Sequence, residues 1–109
     1  MLLSQLRRGV LQYCVLALLI EERMYAYDVV RGLGALQGLA ATEGTIYPLL
    51  SRLRRDGWLD STWVPSDAGP PRRYYAVTPR GAQELATFVA DWRRFRDAVD
   101  ELLPDEKDR

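Results

Sequence analysis

The feature that most constrains the fold is a regular series of bulky apolar residues near the carboxyl end of the chain. Their spacing alternates between three and four residues, the repeat of a helix with one continuous apolar face. A helix that exposes phenylalanine and tryptophan to water promotes aggregation, so this face must be covered. We expect part of this helix to pack on the first helix of the same chain and part on a second copy, with the whole series as the candidate dimer face. The series comprises Leu85, Phe88, Trp92, Phe95, Val99 and Leu102.

The chain that carries this series is small. Its 109 residues fit one domain with a modest core, which cannot cover a long apolar helix completely. The apolar run from Val15 to Ile20 is far shorter than the roughly 20 residues of a membrane span, and no signal-peptide cleavage pattern follows it. We therefore expect a cytoplasmic protein that does not contact a membrane.

Three helices are predicted before the apolar series. Apolar residues at helical spacing indicate a first helix from about Ser4 to Ile20 and a second from about Ala26 to Leu36. A third helix runs from about Glu43 to Asp56, between a threonine cap and a glycine stop. Pro48 lies within the first two turns of this helix, so we expect a slight kink and not a break. The apolar face predicted for the first helix consists of Leu6, Val10, Tyr13, Ala17 and Ile20.

A β-hairpin is predicted after the third helix. The segments Leu59–Val64 and Arg72–Val77 are rich in β-branched and aromatic residues, which favour strands. The intervening segment Pro65–Pro71 consists of turn-forming residues and predicts a wide, mobile tip. Strand alternation directs Tyr75 and Val77 toward the core.

These elements predict a mainly α protein with a two-stranded β-hairpin. Their order is that of a winged helix-turn-helix domain, in which the second and third helices form the helix-turn-helix. We assign residues 1–78 to this domain and residues 79–103 to a carboxy-terminal dimerisation helix, which a Thr-Pro pair opens. Residues 104–109 are predicted to form a charged tail.

The third helix has two faces of opposite character. Its core side carries Ile46, Leu49, Leu50 and Leu53. The other side is small near its start and basic near its end, the shape required of a helix that enters the major groove of DNA. An ordinary solvated face is the alternative, against which the basic hairpin that follows argues. The candidate DNA-facing residues are Gly44, Pro48, Ser51 and Arg55, flanked by Tyr47 and Arg52.

Charge is unevenly distributed, although the formal net charge is zero. Residues 1–80 carry ten arginines and seven acidic residues, a net charge of +3. Residues 81–109 carry five basic and eight acidic residues, a net charge of −3. The basic part therefore contains the candidate DNA-binding elements. Within its hairpin, Arg72 and Arg73 are expected to follow the DNA backbone in the neighbouring minor groove.

The composition argues against an enzyme. The chain has no histidine, the commonest general base and metal ligand. Its single cysteine, Cys14, has no obvious activating partner and is expected to be buried as a small apolar residue. The glycines form no phosphate-binding loop. We expect no catalytic residue, no metal and no cofactor.

Three segments of the chain resemble the PadR family of bacterial transcriptional regulators. The segment Glu43–Leu53 contains the pattern Gly-Thr-x-Tyr-Pro-x-Leu-x-Arg-Leu. Tyr25–Asp28 reads Tyr-Ala-Tyr-Asp, where the family usually has Tyr-Gly-Tyr-Glu. The hairpin segment Gly69–Tyr75, followed by Thr78–Gly81, also resembles the family. The resemblance covers about residues 5–103 and is closest to the short branch with a single carboxy-terminal helix.

This resemblance implies a homodimer that represses transcription and is released by a small molecule or a stress signal. It also implies that Thr45, its neighbours from Gly44 to Pro48, and Arg52 lie at the DNA, although the helical angle places Thr45 toward the side. Some multidrug-binding members have a tryptophan that lines a cavity at the dimer centre, and Trp92 resembles it in position. The implied effector is a planar aromatic or cationic compound, although Trp92 has packing of the dimer core as its alternative role.

The sequence leaves three functions open. The first is a sequence-specific repressor, for which one recognition helix per chain and a two-fold seam predict a pseudo-palindromic double-stranded operator. The second is a winged-helix module that binds other proteins, and the third is a protein that sequesters a small molecule. An interaction module has no need for four arginines on one side of the domain, which favours the repressor.

Overall fold

A computed structural model describes residues 2–36 and 38–105 of the chain. The mainly α winged-helix architecture is confirmed, but the sheet has three antiparallel strands in the order β1-β3-β2 and not two. The predicted tail beyond Asp105 lies outside the described residues. No helix within them is long and apolar enough to cross a membrane. The elements are α1 (Leu2–Arg8), α2 (Leu11–Leu19), β1 (Met24–Tyr25), α3 (Ala26–Gly34), α4 (Glu43–Arg55), β2 (Leu59–Ser66), β3 (Gly69–Val77) and α5 (Pro79–Leu102).

The core forms where α2, α3 and α4 meet one face of the sheet. Burial of each large aliphatic side chain there contributes about 1.5–3 kcal/mol relative to its exposure. The prediction for α4 is confirmed, because its aliphatic side faces this core with Leu49 at the margin. Tyr75 is buried and Val77 packs beside it, also as predicted. The buried hydrophobic residues of this core are Leu11, Val15, Leu16, Leu19, Val29, Leu33, Ile46, Leu50, Leu53, Leu59 and Tyr75.

The prediction of one continuous first helix is wrong, and of the apolar face predicted for it only Tyr13 packs against the core. Residues 9 and 10 form a turn between α1 and α2, where Gly9 has a low helix propensity. The predicted face is largely outside the core, with Leu6 62% exposed and Ala17 and Ile20 also exposed. Because α2 is apolar almost all round, periodicity does not identify its inward side. That side consists of Leu11, Val15, Leu16 and Leu19.

The hairpin is longer and tighter than predicted. Strands β2 and β3 pair from their bases out to a two-residue turn at positions 67–68, so the prediction of a wide tip is wrong. β2 is an edge strand, where Pro65 is tolerated at a register shift. Pro70 and Pro71 lie beyond the reach of the short strand β1, so β1 requires no backbone donor from them. Prolines that indicate a turn in the sequence therefore occupy strand positions here.

The start of α5 is fixed to the turn between α4 and β2. The Thr78 hydroxyl donates to the Gly57 carbonyl at 2.6 Å and accepts from the Gly81 N–H at 3.0 Å, which confirms the predicted cap. A Cβ atom on Gly81 would lie 2.2 Å from the Trp58 carbonyl oxygen, so only glycine fits this crossing. The direction of α5 is thereby tied to the end of α4.

Helix α5 packs on its own chain along its first half. Leu85 contacts the core, and the Phe88 ring stacks on Tyr13 of α2 with centroids 4.1 Å apart and an interplanar angle of 3°. Farther along, Phe95 is 63% exposed and Leu102 86% exposed. The single chain therefore covers only the first part of the apolar series.

Candidate nucleic-acid interface

Helix α4 exposes a narrow strip on the side opposite the core. We define this strip as Gly44, Pro48, Ser51 and Arg55. Because the aliphatic side of α4 is buried, the rotation of the helix is fixed and the strip faces outward. Helix α4 continues unbroken through Pro48 to Arg55, so the strip is a continuous surface that is slim at its start and basic at its end.

Gly44 is not required by the fold. A Cβ atom at this position would meet only the Thr42 hydroxyl oxygen, at an ordinary contact distance of 3.6 Å. Positive φ angles occur among the described glycines at Gly38 and Gly57 and not at Gly44, so its backbone accepts any residue. Glycine here instead leaves the first turn of α4 open to close approach by a bound molecule.

One side of the strip borders a cleft between α4 and the α1–α2 pair, which we call the amino-terminal cleft. Its volume is about 500 Å³. Arg52 of α4 donates from Nη2 to Oε1 of Gln12 at 2.7 Å, and Arg7 donates to the Ala40 carbonyl. Three arginines thus line one concave surface beside the strip. The lining residues are Arg7, Arg8, Leu11, Gln12, Thr45, Pro48, Leu49 and Arg52.

The other side of the strip borders a cleft between α4, the start of α3 and the sheet, which we call the wing cleft. Its volume is about 490 Å³. Aromatic rings and two arginines dominate its surface, and α4 contributes a tyrosine and a serine. The lining residues are Tyr25, Ala26, Tyr27, Tyr47, Ser51, Trp63, Arg72, Arg73 and Tyr75.

The arginines of both clefts carry charge that carboxylates do not neutralise. In the described part of the chain, the ion pairs join Arg94 to Asp91 and Arg96 to Asp97, all on α5. Four guanidinium groups of the clefts instead contact an amide, a carbonyl or aromatic rings: those of Arg52, Arg7, Arg72 and Arg73. Two positive clefts on either side of a slim helix favour an elongated anionic partner.

Tyr47 keeps its proton over the physiological pH range. Partial desolvation raises the pKa of its hydroxyl, and the nearby Glu43 carboxylate raises it further. A neutral hydroxyl donates a hydrogen bond to a phosphate or to a base acceptor. Burial likewise raises the pKa of the Cys14 thiol, which makes this cysteine a poor nucleophile.

The predicted DNA-facing residues gather on this surface in three groups. The amino-terminal cleft contains Thr45, Pro48 and Arg52, with Thr45 at the side as the helical angle predicts. The wing cleft contains Tyr47, Ser51, Arg72 and Arg73. Gly44 and Arg55 lie toward the two ends of α4.

Sequence reasoning did not assign several of the cleft residues to the DNA-facing surface, among them Arg7, Arg8, Tyr25 and Trp63. Antiparallel pairing of the predicted strands places Trp63 opposite Arg73, so the sequence was sufficient to predict that these two residues are neighbours. The place of Tyr25 in the cleft could not be predicted from the sequence, because it depends on the pairing of the two-residue strand β1 with β3. The two adjacent arginines of α1 lie in the amino-terminal cleft directly before the break in the predicted first helix.

A second candidate surface is an apolar groove between the far half of α5 and the α1–α2 turn. Its volume is about 560 Å³. Of the predicted apolar series, three members line it, whereas Leu85 and Phe88 pack on the same chain. The Trp92 ring is 40% exposed, with its centroid 6.2 Å from Phe88 and 6.3 Å from Phe95. The apolar lining comprises Leu6, Val10, Leu39, Trp92, Phe95 and Val99.

Comparison with known proteins identifies similar sequences and folds. The sequence profile of the Transcriptional regulator PadR-like family matches residues 15–87. A PadR-like transcription factor from Bacteroides fragilis is 41% identical, with 92% of this chain and 96% of that chain covered and a TM-score of 0.78. A PadR family transcriptional regulator from Eggerthella lenta is 35% identical, with coverages of 96% and 91% and a TM-score of 0.84. A PadR-like regulator from Bacillus cereus is 33% identical, with coverages of 94% and 99% and a TM-score of 0.84.

The variant Gly44→Ala distinguishes a role of Gly44 in protein stability from a role in DNA binding. The methyl group fits the folded chain, and alanine favours a helix by about 0.5–1 kcal/mol, so urea denaturation should show equal or slightly higher stability. Affinity for a duplex from the promoter region of its own gene should fall by about 1–3 kcal/mol, measured by fluorescence anisotropy. Gly34→Ala, a control at the end of α3 where a Cβ meets nothing within 4 Å, should leave binding unchanged. Wild-type affinity in Gly44→Ala would mean that DNA does not approach this turn.

Proposed function

The chain belongs to the PadR-like family of transcriptional regulators, and we propose that it acts as a homodimeric, sequence-specific DNA-binding repressor. The observation that carries this proposal is the slim exposed strip of α4 between two clefts whose arginines have no carboxylate partner among the described residues. A duplex fits this arrangement, because base edges are reached by a slim helix while phosphates on both sides meet cations. The function is binding without catalysis, on the chromosome in the cytoplasm.

The proposed division of labour follows from the position of each side chain. Gly44 and Pro48 let the start of α4 approach the bases in the major groove, where Tyr47 and Ser51 offer hydroxyl groups. Arg52 contacts the DNA backbone on the side of the amino-terminal cleft, and Arg55 contacts it at the basic end of the strip. Arg72 and Arg73, in the β2–β3 hairpin that forms the wing, are proposed to contact the DNA backbone on the side of the wing cleft.

The proposed homodimer forms through the apolar groove and the far half of α5. Phe95 and Leu102 are largely exposed in the single chain, and a second copy of the same helix is the partner whose apolar series matches this groove. A two-fold axis along this seam gives one α4 helix per half-site. The operator is therefore proposed to be a pseudo-palindrome with two half-sites.

Trp92 is the candidate for an effector contact. Its exposed ring forms part of the groove wall between Phe88 and Phe95, where a planar aromatic or cationic compound can stack on it. If the partner chain fills the groove, Trp92 instead packs in the core of the dimer interface. Effector binding at Trp92, implied by the family resemblance, stays a prediction.

Removal of the Arg52 side chain tests the proposed DNA contact. Arg52→Ala should weaken duplex binding by about 1–3 kcal/mol and reduce the salt dependence of the affinity by about one counterion. The melting temperature should change little, because Arg52 is exposed. Arg94→Ala on α5 is the matched control, since it removes the same charge from a pair with Asp91 and should not affect binding. Equal affinities of both variants would favour the alternative of a protein-interaction module.

A charge in the apolar groove tests the proposed dimer. Phe95→Glu should yield a folded monomer in sedimentation equilibrium, because it replaces a large apolar contact of the seam by a carboxylate that dimerisation would remove from water. Ala90→Glu adds the same charge at an exposed position of α5 outside the apolar series and should remain dimeric. A stable Phe95→Glu dimer would show that α5 does not hold the two chains together at this point.

A further inference from the structure

The arginines around the sheet are held by aromatic rings. Among the described residues, four arginines lie over a ring, and the two shortest distances from Cζ to the ring centroid belong to Arg72 and Arg73, which are proposed to contact DNA. Arg73 lies over Trp63 and Arg72 over Tyr25, each with Cζ 4.6 Å from the ring centroid. The longer contacts join Arg23 to Tyr74 at 5.3 Å and Arg31 to Tyr27 at 5.8 Å.

The two wing arginines use rings from different strands. Successive side chains of β3 point to opposite faces of the sheet, so Arg72 and Arg73 cannot share one ring. Trp63 is the cross-strand partner of Arg73 on β2. Tyr25 on β1 pairs with position 74, the same-face neighbour of Arg72 on β3. Each guanidinium group therefore has its own aromatic ring: that of Arg73 is on β2 and that of Arg72 is on β1.

A ring and a carboxylate orient arginine in different ways. A ring contacts the flat face of the guanidinium group and leaves its N–H edge available. A carboxylate uses that edge and neutralises the charge. Trp63 is 60% exposed, which is unusual for a large aromatic side chain unless it serves a surface function. Rings thus restrict two long side chains without using the donors that a phosphate needs.

We propose that Trp63 and Tyr25 are positioning residues that hold Arg73 and Arg72 with their N–H edges toward phosphate oxygens, so that the wing cleft binds one sugar–phosphate strand of the operator. This inference rests on the proposed function, because it requires that the chain bind DNA. Phosphates are the fitting partner, since both guanidinium groups line one cleft and neither has a carboxylate partner among the described residues. Successive phosphates along a backbone present anionic groups to both.

Trp63 variants provide the first test. Trp63→Leu removes the ring and keeps an apolar side chain, and affinity for the promoter duplex should fall about two- to five-fold, the range expected for an exposed cation–π contact. Trp63→Phe retains a ring and should restore most of the affinity. The slope of log affinity against log salt should stay near the wild-type value in both, because Arg73 still reaches its phosphate.

A double-mutant cycle distinguishes positioning from a direct Trp63–DNA contact. Arg73→Ala should lower the affinity more than Trp63→Leu does and reduce the salt slope by about one. In the double variant, loss of Trp63 should cost nothing further, since its effect acts through Arg73. Additive losses in the double variant would overturn the positioning role. Unchanged affinity in Trp63→Leu would overturn it equally.

Arg73→Lys tests the same inference with the tryptophan in place, in case Trp63→Leu lowers the melting temperature. A lysine ammonium either lies on the ring or reaches the phosphate, whereas a guanidinium does both. Arg73→Lys should therefore lose about two- to five-fold in affinity, and wild-type affinity would contradict the inference. A wild-type chain without salt-dependent duplex binding would refute the proposed function itself. Wild-type binding that is insensitive to both Trp63→Leu and Arg73→Lys would refute only the role of the rings.

Discussion

Burial of the aliphatic side of α4 is the interaction on which the remaining structure depends. Ile46 and Leu50 are completely buried and Leu53 is 1% exposed, so the rotation of this helix about its axis is fixed by the core. Fixing the rotation fixes the strip on the opposite side and the edges that border the two clefts. A packing constraint thus determines which side chains are presented to the proposed duplex.

A second constraint connects this surface to α5. Thr78 and Gly81 bind the start of α5 to the turn after α4, and Phe88 stacks on α2, so α5 leaves the domain in a defined direction. If two copies pair through the far half of α5, the direction of that helix sets the distance between their α4 helices. Any compound that alters the packing around Trp92 would then alter the spacing of the two DNA-reading surfaces.

The sequence predicted elements whose patterns are strong and local. The leucine spacing of α4 identified its buried side, and the Thr-Pro pair identified the start of α5. The inward face of α2 was not predictable by period, because nearly every residue from Val15 to Leu19 is apolar. β1 consists of two residues and exists only through its pairing with β3. The hairpin tip was mispredicted because Pro65 is tolerated in the edge strand β2, while Pro70 and Pro71 lie in the part of β3 that β1 does not reach.

Selection of bound sequences from a pool of random duplexes tests the central claim most directly, with the number of chains per duplex determined by native mass spectrometry. Two α4 helices related by a two-fold axis predict an inverted repeat whose half-site centres lie about 10 base pairs apart, or a multiple of that distance, bound by two chains. The affinity for this repeat should fall steeply as salt is added, because arginine–phosphate contacts release counterions. Enrichment of no sequence, or of an asymmetric site bound by one chain with an affinity indifferent to salt, would contradict the account.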